Sequence, residues 1–305
     1  MLGLRSSQVG SLLKLVDDRA WESLHLITGA RTRRIRRPNT ALYYSQSILR
    51  IANDWPDLLA MDAADVTPEM LADWQAKFSK RFAPDTVNGA LTILRAVFRT
   101  AGRKGMIDRD PTADLQRLTV PDHPWTIPTN EQWQRAVDAL RARAARRGKP
   151  TTTHQTLLVL WLAATGMRVQ AATALRIGDV DFERATVRLD GAHAKNGRTA
   201  LLPIGKAALD AARQAAGARD KPERLFLCVS ARYALMLATA AAGVRINHHT
   251  LRKLFATRAL EAGVAPAIAA RLLTHQDGGQ TLLKHYAAWR DDALRAAVAR
   301  MEIGL

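Results

Sequence analysis

Apolar residues recur at helical spacing from Thr40 to Leu118. The clearest predicted helix begins near Asp85, a residue type suited to the N-cap position, and ends at Gly102. Its apolar face consists of residues spaced three or four positions apart: Val87, Ala90, Leu91, Leu94, Val97 and Phe98. Two earlier stretches, 40–53 and 68–82, carry patterns that also favour helices. This part of the chain is therefore predicted to be a small helical bundle.

Proline spacing divides the chain into its predicted domains. Residues 118–128 contain three prolines, which together rule out a continuous helix: Pro121, Pro124 and Pro128. We therefore expect an interdomain linker there. The predicted organisation is an N-terminal extension (1–38), a helical domain (39–117), the linker, and a second domain with a C-terminal tail helix (129–305).

The second domain combines helical and strand patterns. Thr129 and Gln132 form a capping-box signature, and the almost wholly apolar run 155–166 predicts a buried helix with Gly166 at its end. Residues 185–190 alternate as a strand, and Asn196-Gly197 is a dipeptide favoured in hairpin turns. The expected fold class is mainly α with a small antiparallel β-sheet or hairpin in this domain.

The C-terminal tail carries an apolar stripe at helical spacing. The stripe is made of five residues: Ala293, Leu294, Ala297, Val298 and Met301. A helix with such a stripe packs either on its own domain or on a neighbouring protomer, and the sequence leaves both open.

Charge points to the kind of partner. The chain has 45 lysines and arginines against 28 acidic residues, a formal net charge of +17 and a pI near 10.9. Such an excess favours a polyanion. Nucleic acid is the expected one, because neither a membrane-length apolar run nor a signal peptide is present. A general bias of a basic proteome is the alternative explanation. The single cysteine, Cys228, fits a reducing cytoplasm.

Basic residues cluster at two places before the linker. Five arginines fall within residues 31–37, where they either follow a phosphate backbone or form a solvated segment. A second group follows the predicted helix that ends at Gly102. The candidate DNA contacts are Arg31, Arg33, Arg34, Arg36, Arg37, Arg99, Arg103 and Lys104. Two basic domains joined by an extended linker are expected to close around a duplex as a clamp.

Candidate chemistry concentrates in residues 248–286. His249 and Arg252 are three positions apart, so on a helix both side chains lie on one face and can converge on one small anion. His275 and Tyr286 follow, and Arg168 and Lys195 stand upstream. These six are the residue types needed to break a phosphodiester without a metal.

Two motifs resemble those of the tyrosine recombinases, the phage-integrase family. The run HHTLRKLFATRALEAGV from His248 resembles the family's box II, and TGMRVQAATALRIGDVDF from Thr165 resembles its box I. The likeness extends over about residues 35 to 290. It implies that the helical region is the family's core-binding domain, and that the six residues are its two arginines, hairpin lysine, two histidines and nucleophile.

The resemblance also implies the role of each residue. Arg168 and Arg252 would hold the phosphorane oxygens, and His275 would donate a further hydrogen bond. His249 would assist deprotonation of the nucleophile, Tyr286. Lys195 would protonate the departing 5′-hydroxyl, which an arginine could not do because its pKa lies above 12.

The same resemblance implies the wider reaction. The product would be a 3′-phosphotyrosine that reseals without ATP, and repetition on paired strands would give recombination. No cofactor and no metal are expected. The expected partners are double-stranded DNA, three further copies of the chain in a homotetramer on two DNA sites, and accessory DNA-bending proteins. The expected location is the cytoplasm, on the nucleoid, in a bacterial or phage-derived setting.

Three alternating acids raise the question of a metal site. Asp179, Asp181 and Glu183 could be ligands, but alternate acids between a helix and a strand are more often a polar face, and the family carries a similar acidic turn. No Cys/His cluster supports a metal elsewhere in the sequence. We therefore interpret these acids as part of a turn.

Two departures from the family pattern bear on activity. Three residues after Arg168 the family usually carries an acid that orients the site, whereas this chain has Ala171, so support is weaker or comes from another acid such as Asp179. The interval from His275 to Tyr286 is eleven residues where the family more often has nine. A catalytically weak or inactive DNA-binding protein is thus the main alternative. A type IB topoisomerase is a further one, which the separate core-binding domain and short tail disfavour.

Overall fold

A computed structural model describes residues 38–121, 127–191 and 199–274, together with residue 280. The chain divides into two compact units, residues 1–123 and 124–305. In their described parts the units are mainly helical, and the second adds a small antiparallel sheet. The fold class predicted from the sequence is confirmed in these respects. Residues 1–37 of the N-terminal extension, the hairpin turn at Asn196-Gly197 and the tail helix lie outside the described residues.

Three α-helices form the described frame of the first unit. They are α1 (Pro38–Asp54), α2 (Pro68–Arg81) and α3 (Pro84–Arg103). Two short 3-10 helices, Pro56–Ala60 and Ala63–Asp65, connect α1 to α2. The three helices predicted from periodicity are therefore present, with ends within two residues of those expected.

The start of α3 corrects one detail of the prediction. Asp85 lies in the first turn of the helix and is not its N-cap, which is Ala83. Pro84 takes the first helical position, where its fixed φ favours the helix and its missing N–H costs nothing. The proline therefore starts the helix before the aspartate can cap it.

A buried asparagine ties α3 to the segment that leads into the linker. Asn88 is 8% exposed. Its Nδ2 donates to the carbonyl of Leu118 and its Oδ1 accepts from the amide of Leu118, both at 2.9 Å. The side chain thus satisfies both backbone groups of Leu118, so this residue belongs structurally with the first unit.

We predict that Asn88→Ala lowers the free energy of unfolding by about 2 to 4 kcal/mol, because it leaves a backbone donor and a backbone acceptor unpaired. Asn53, which is exposed in α1, is a suitable control site. Asn53→Ala is expected to change stability by less than about 0.5 kcal/mol. Urea unfolding of both variants measures the difference, and equal stabilities would contradict the role given to Asn88.

Seven α-helices and three strands make up the described part of the second unit. The helices are α4 (Asn130–Arg147), α5 (Pro150–Thr165), α6 (Val169–Ala174), α7 (Lys206–Ala216), α8 (Arg232–Ala242), α9 (His248–Glu261) and α10 (Pro266–Leu272). The strands are β1 (Val180–Asp181), β2 (Thr186–Leu189) and β3 (Ala200–Pro203), in the order β1-β2-β3. Both pairs are antiparallel, and Val187 stands opposite Val180 on one side and Leu202 on the other.

The core of the second unit is built around α5. Leu158 and Trp161 of this helix are fully buried, and Trp161 meets Phe226 edge to face. The predicted capping box is present at the start of α4, where Thr129 and Gln132 bond each other's backbone amides. Among the helices of the described ranges, none combines the length and apolar character needed to cross a membrane.

Candidate active site

Arg168 lies directly after the end of a buried helix. The apolar helix α5 stops at Gly166, which has a φ of 61° and so adopts the left-handed conformation that ends many helices. Met167 is buried, and Arg168 takes the N-cap position of α6. The first residue of the predicted site is therefore fixed between two helices.

Arg252 is the most buried charged residue among those described. It is 5% exposed, in the second turn of α9. Its Nη1 donates to the carbonyl of Gly166 and its Nη2 to the carbonyl of Leu273, both at 2.6 Å. A planar guanidinium can bond two groups in a fixed geometry, which a lysine cannot do. Arg252 therefore joins the segment before Arg168 to the segment that leads into His275.

Gly166 is also closely packed. A Cβ atom at this position would lie 2.6 Å from Phe255 Cδ1 and 2.6 Å from Leu273 Cδ2. The absence of a side chain thus lets α5 end directly against α9 and the end of α10. Gly243, at the end of α8, has a similar φ of 70° but open space around it.

We expect Gly166→Ala to destabilise the protein by about 2 to 5 kcal/mol, since it adds overpacking to an unfavourable left-handed backbone. Gly243→Ala is the matched control, because it carries only the backbone cost of about 1 to 2 kcal/mol. Thermal and urea unfolding of the two variants test the difference. If both lose the same stability, the close packing at Gly166 contributes nothing.

Arg168 and Arg252 line one open cavity of about 400 Å³. Its walls are otherwise mostly apolar and come from the end of α5, the sheet, α9 and the end of α10. Ala171, which is 7% exposed, forms part of the wall. Arg168 Nη1 donates across this region to Thr274 Oγ1 at 3.1 Å. Two arginines and the residue before His275 are therefore brought together at one place.

Asp179 does not supply the missing acid. One of its oxygens accepts from the amide of Arg176 and the other pairs with Arg188, both at 2.9 Å. The suggestion that Asp179 supports Arg168 is therefore not supported by its hydrogen bonds, which hold the short turn before β1.

The other two acids of the alternating set also belong to a turn. Asp181 Oδ1 accepts from the amides of Glu183 and Arg184, and Glu183 is exposed. In the described ranges, no group of three His, Cys, Asp or Glu side chains is arranged to hold a metal ion. Hydrogen bonds from the turn amides to Asp179 and Asp181 are sufficient to explain this acidic run.

His249 lies in the first turn of α9. Asn247 caps this helix by accepting from the amide of Thr250 at 2.9 Å. His249 is exposed and shares a helix face with Arg252, as the spacing predicted, although it does not line the cavity. The neighbouring His248 is half-buried, and burial together with the adjacent His249 lowers its pKa.

Lys253 is a residue that the sequence did not single out. It follows Arg252 and lies one turn after His249 on α9, and burial lowers its pKa to about 8. A lysine with such a pKa can take up and release a proton near neutral pH. Lysine is ordinary at a half-exposed helix position, so only the packing of the folded chain reveals this property.

Several predicted site residues are not among those that the structure describes. Lys195, His275 and Tyr286 lie outside the described residues, as do the five arginines of residues 31–37. Arg99, Arg103 and Lys104 are described, and all three are exposed at the C-terminal end of α3. The roles given to all of these residues therefore stay predictions.

Comparison with known proteins identifies the family. A model of the phage integrase family matches residues 129–292. The tyrosine recombinase XerC of Roseiflexus castenholzii is 30% identical over 214 residues, which cover 64% of this chain and 66% of that protein. XerC of Mycobacterium tuberculosis is 28% identical over 243 residues, covering 73% of this chain and 80% of that protein.

Solved structures show the same fold. The Tn1549 transposon integrase in complex with a circular intermediate DNA has a TM-score of 0.70 at 18% identity, over 95% of this chain and 99% of that one. A lambda integrase dimer bound to a COC′ core site has a TM-score of 0.68 at 18% identity, over 90% and 77%. The family model covers more than half of the chain, and Arg168 and Arg252 of the two motifs line one cavity. The chain therefore belongs to the phage integrase family of tyrosine recombinases.

Proposed function

We propose that this chain is a site-specific DNA recombinase that cleaves and rejoins DNA through a 3′-phosphotyrosine at Tyr286. The observation that carries the proposal is the junction at Arg252. This buried guanidinium joins the segment holding Arg168 to Leu273, two residues before His275. Three separate parts of the sequence motif thereby meet at one site.

The chemistry follows from the groups assigned to that site. The phenol oxygen of Tyr286 attacks the scissile phosphorus while the bond from phosphorus to the 5′-oxygen breaks. His249 takes the phenol proton, and Lys195 gives one to the leaving 5′-oxygen. Arg168 and Arg252, with His275, stabilise the charge that develops on the non-bridging oxygens, which is the main requirement of phosphoryl transfer. The reverse attack by a 5′-hydroxyl reseals the strand without ATP.

DNA is the proposed partner. The charge of +17 suits a polyanion, and the integrases of similar fold were solved with DNA bound. Arg99 and Arg103 are exposed one turn apart on α3, where both can contact a phosphate backbone, and Lys104 follows. We place these three in the DNA interface, together with the basic segment 31–37.

The assembly is part of the same proposal. Exchange between two duplexes needs one nucleophile for each of four strands, so we propose a homotetramer on two DNA sites, with accessory bending proteins where the sites require them. The protein is expected to act on the nucleoid.

Covalent capture tests the proposal. The protein is incubated with fragmented genomic DNA in EDTA and, in parallel, in Mg²⁺, then denatured, and the DNA that stays attached is sequenced. We expect a narrow set of sites at equal yield in both. Loss of the adduct in EDTA would overturn the metal-free mechanism, and an adduct spread evenly over the DNA would favour a topoisomerase.

One observation favours a second candidate, a DNA-binding protein without catalytic activity. Ala171 stands where the family usually has an acid, and the carboxylate of Asp179 is engaged elsewhere. This candidate predicts ordinary DNA binding with no covalent adduct. The same capture experiment, run beside a gel-shift assay, separates the two functions.

A further inference from the structure

The contact between Arg168 and Thr274 joins residues 106 positions apart. Arg168 Nη1 donates to Thr274 Oγ1 at 3.1 Å, and both side chains are partly buried. Neither the spacing nor the residue type of Thr274 indicated this contact in the sequence. It lies at the edge of the cavity that Arg168 and Arg252 line.

The backbone of Thr274 is unusual. Its φ is 57°, in the left-handed region, at the position just beyond the C-cap of α10. Glycine is the usual residue at such a position, and a β-branched residue is strained there. Strain of this kind is retained where the side chain performs a task that glycine cannot. Accepting a hydrogen bond from Arg168 through a side-chain hydroxyl is such a task.

The surroundings of Arg168 make this hydroxyl more important. Ala171 cannot orient the guanidinium, and Asp179 bonds Arg176 and Arg188. The segment that carries Thr274 is itself anchored, because Arg252 holds the carbonyl of Leu273 at 2.6 Å. The hydroxyl is thus presented to Arg168 from an anchored segment of the chain.

We propose that Thr274 is a positioning residue for Arg168. Its hydroxyl fixes the plane of the guanidinium that meets the scissile phosphate, from a position other than that of the acid absent at Ala171. Thr274 itself does not contact DNA in this proposal. The inference rests on the proposed function, in which Arg168 binds the phosphate during cleavage.

Three substitutions separate this role from a structural one. Thr274→Ser keeps the hydroxyl, Thr274→Val keeps the shape and the strain without it, and Thr274→Gly removes both. A positioning role predicts that the wild type and Thr274→Ser form the covalent adduct rapidly, and that Thr274→Val and Thr274→Gly form it slowly. A purely structural role predicts that Thr274→Gly forms the adduct as fast as the wild type, because glycine removes the strain of the left-handed backbone.

The rate of covalent adduct formation is measured at saturating DNA, with a site obtained by capture. We expect Thr274→Ser to remain within about 2-fold of the wild type and Thr274→Val to be about 10-fold slower, the order of effect of a misplaced catalytic group. DNA affinity is expected to change less than about 2-fold, since Thr274 does not contact DNA. Equal rates for serine and valine would overturn the proposal, as would a loss confined to affinity.

A second measurement does not depend on catalysis. Urea unfolding midpoints are determined for Thr274→Val, Arg168→Met and the double variant. A contact between the two side chains predicts that their effects are not additive, and additive effects would overturn it. If the wild type forms no adduct, the proposed function fails, and the unfolding cycle alone then decides whether Thr274 holds Arg168.

Discussion

Tyr286→Phe is expected to abolish the covalent DNA adduct while leaving DNA binding unchanged. Phenylalanine keeps the ring and removes the only atom proposed to attack phosphorus. The phenol has a reference pKa near 10 and is a weak nucleophile until a base assists it, so a hydroxyl without such a base is not expected to replace it. The adduct yield should therefore fall to that of a reaction without protein.

Tyr233→Phe is the matched control for this variant. Tyr233 is 70% exposed on α8 and has no assigned role. Its loss is expected to leave the adduct yield unchanged. Denaturing gel electrophoresis of end-labelled DNA gives the yields, and a gel-shift assay gives the binding. If the adduct persists in Tyr286→Phe, a residue other than Tyr286 is the nucleophile.

Arg252→Lys is expected to reduce both stability and activity. The ammonium group cannot bond the carbonyls of Gly166 and Leu273 together, so a buried acceptor is left without its donor. The loss of unfolding free energy should be about 1 to 3 kcal/mol. The rate of adduct formation should fall by about 10² to 10³, as when one preorganised donor is removed from a transition-state site.

A control on the adjacent helix separates these effects from a change of residue type. Arg271 is exposed on α10, and Arg271→Lys is expected to alter neither stability nor rate. The measurements are urea unfolding and single-turnover adduct formation at a temperature where both variants are folded. If Arg252→Lys is as stable and as active as Arg271→Lys, the junction has no functional importance.

Local patterns explain how much of the fold was predictable. The apolar spacing of α3, the capping box at Thr129 and the end of α5 at Gly166 are all decided by neighbours in sequence. The N-cap of α3 was missed by two residues because Pro84 begins the helix ahead of Asp85, which makes Ala83 the cap. The alternating acids Asp179 and Asp181 form a turn, as interpreted.

Long-range contacts explain what the sequence could not predict. The spacing of His249 and Arg252 predicted a shared face but not the burial of Arg252, which depends on carbonyls 86 and 21 residues away. A threonine gives no local signal for a left-handed backbone, which usually favours glycine. The φ of 57° at Thr274 and its bond to Arg168 therefore appear only in the folded chain. The lowered pKa of Lys253 likewise comes from packing around α9.

The most direct test of the proposed mechanism is to locate the residue that carries the DNA. The chain has four tyrosines, and the covalent adduct can be digested with nuclease and trypsin and mapped by mass spectrometry. The mechanism predicts a nucleotide on the peptide of residues 285–290, attached to Tyr286 through its 3′-phosphate. A nucleotide on Tyr43, Tyr44 or Tyr233, or one attached through a 5′-phosphate, would contradict it.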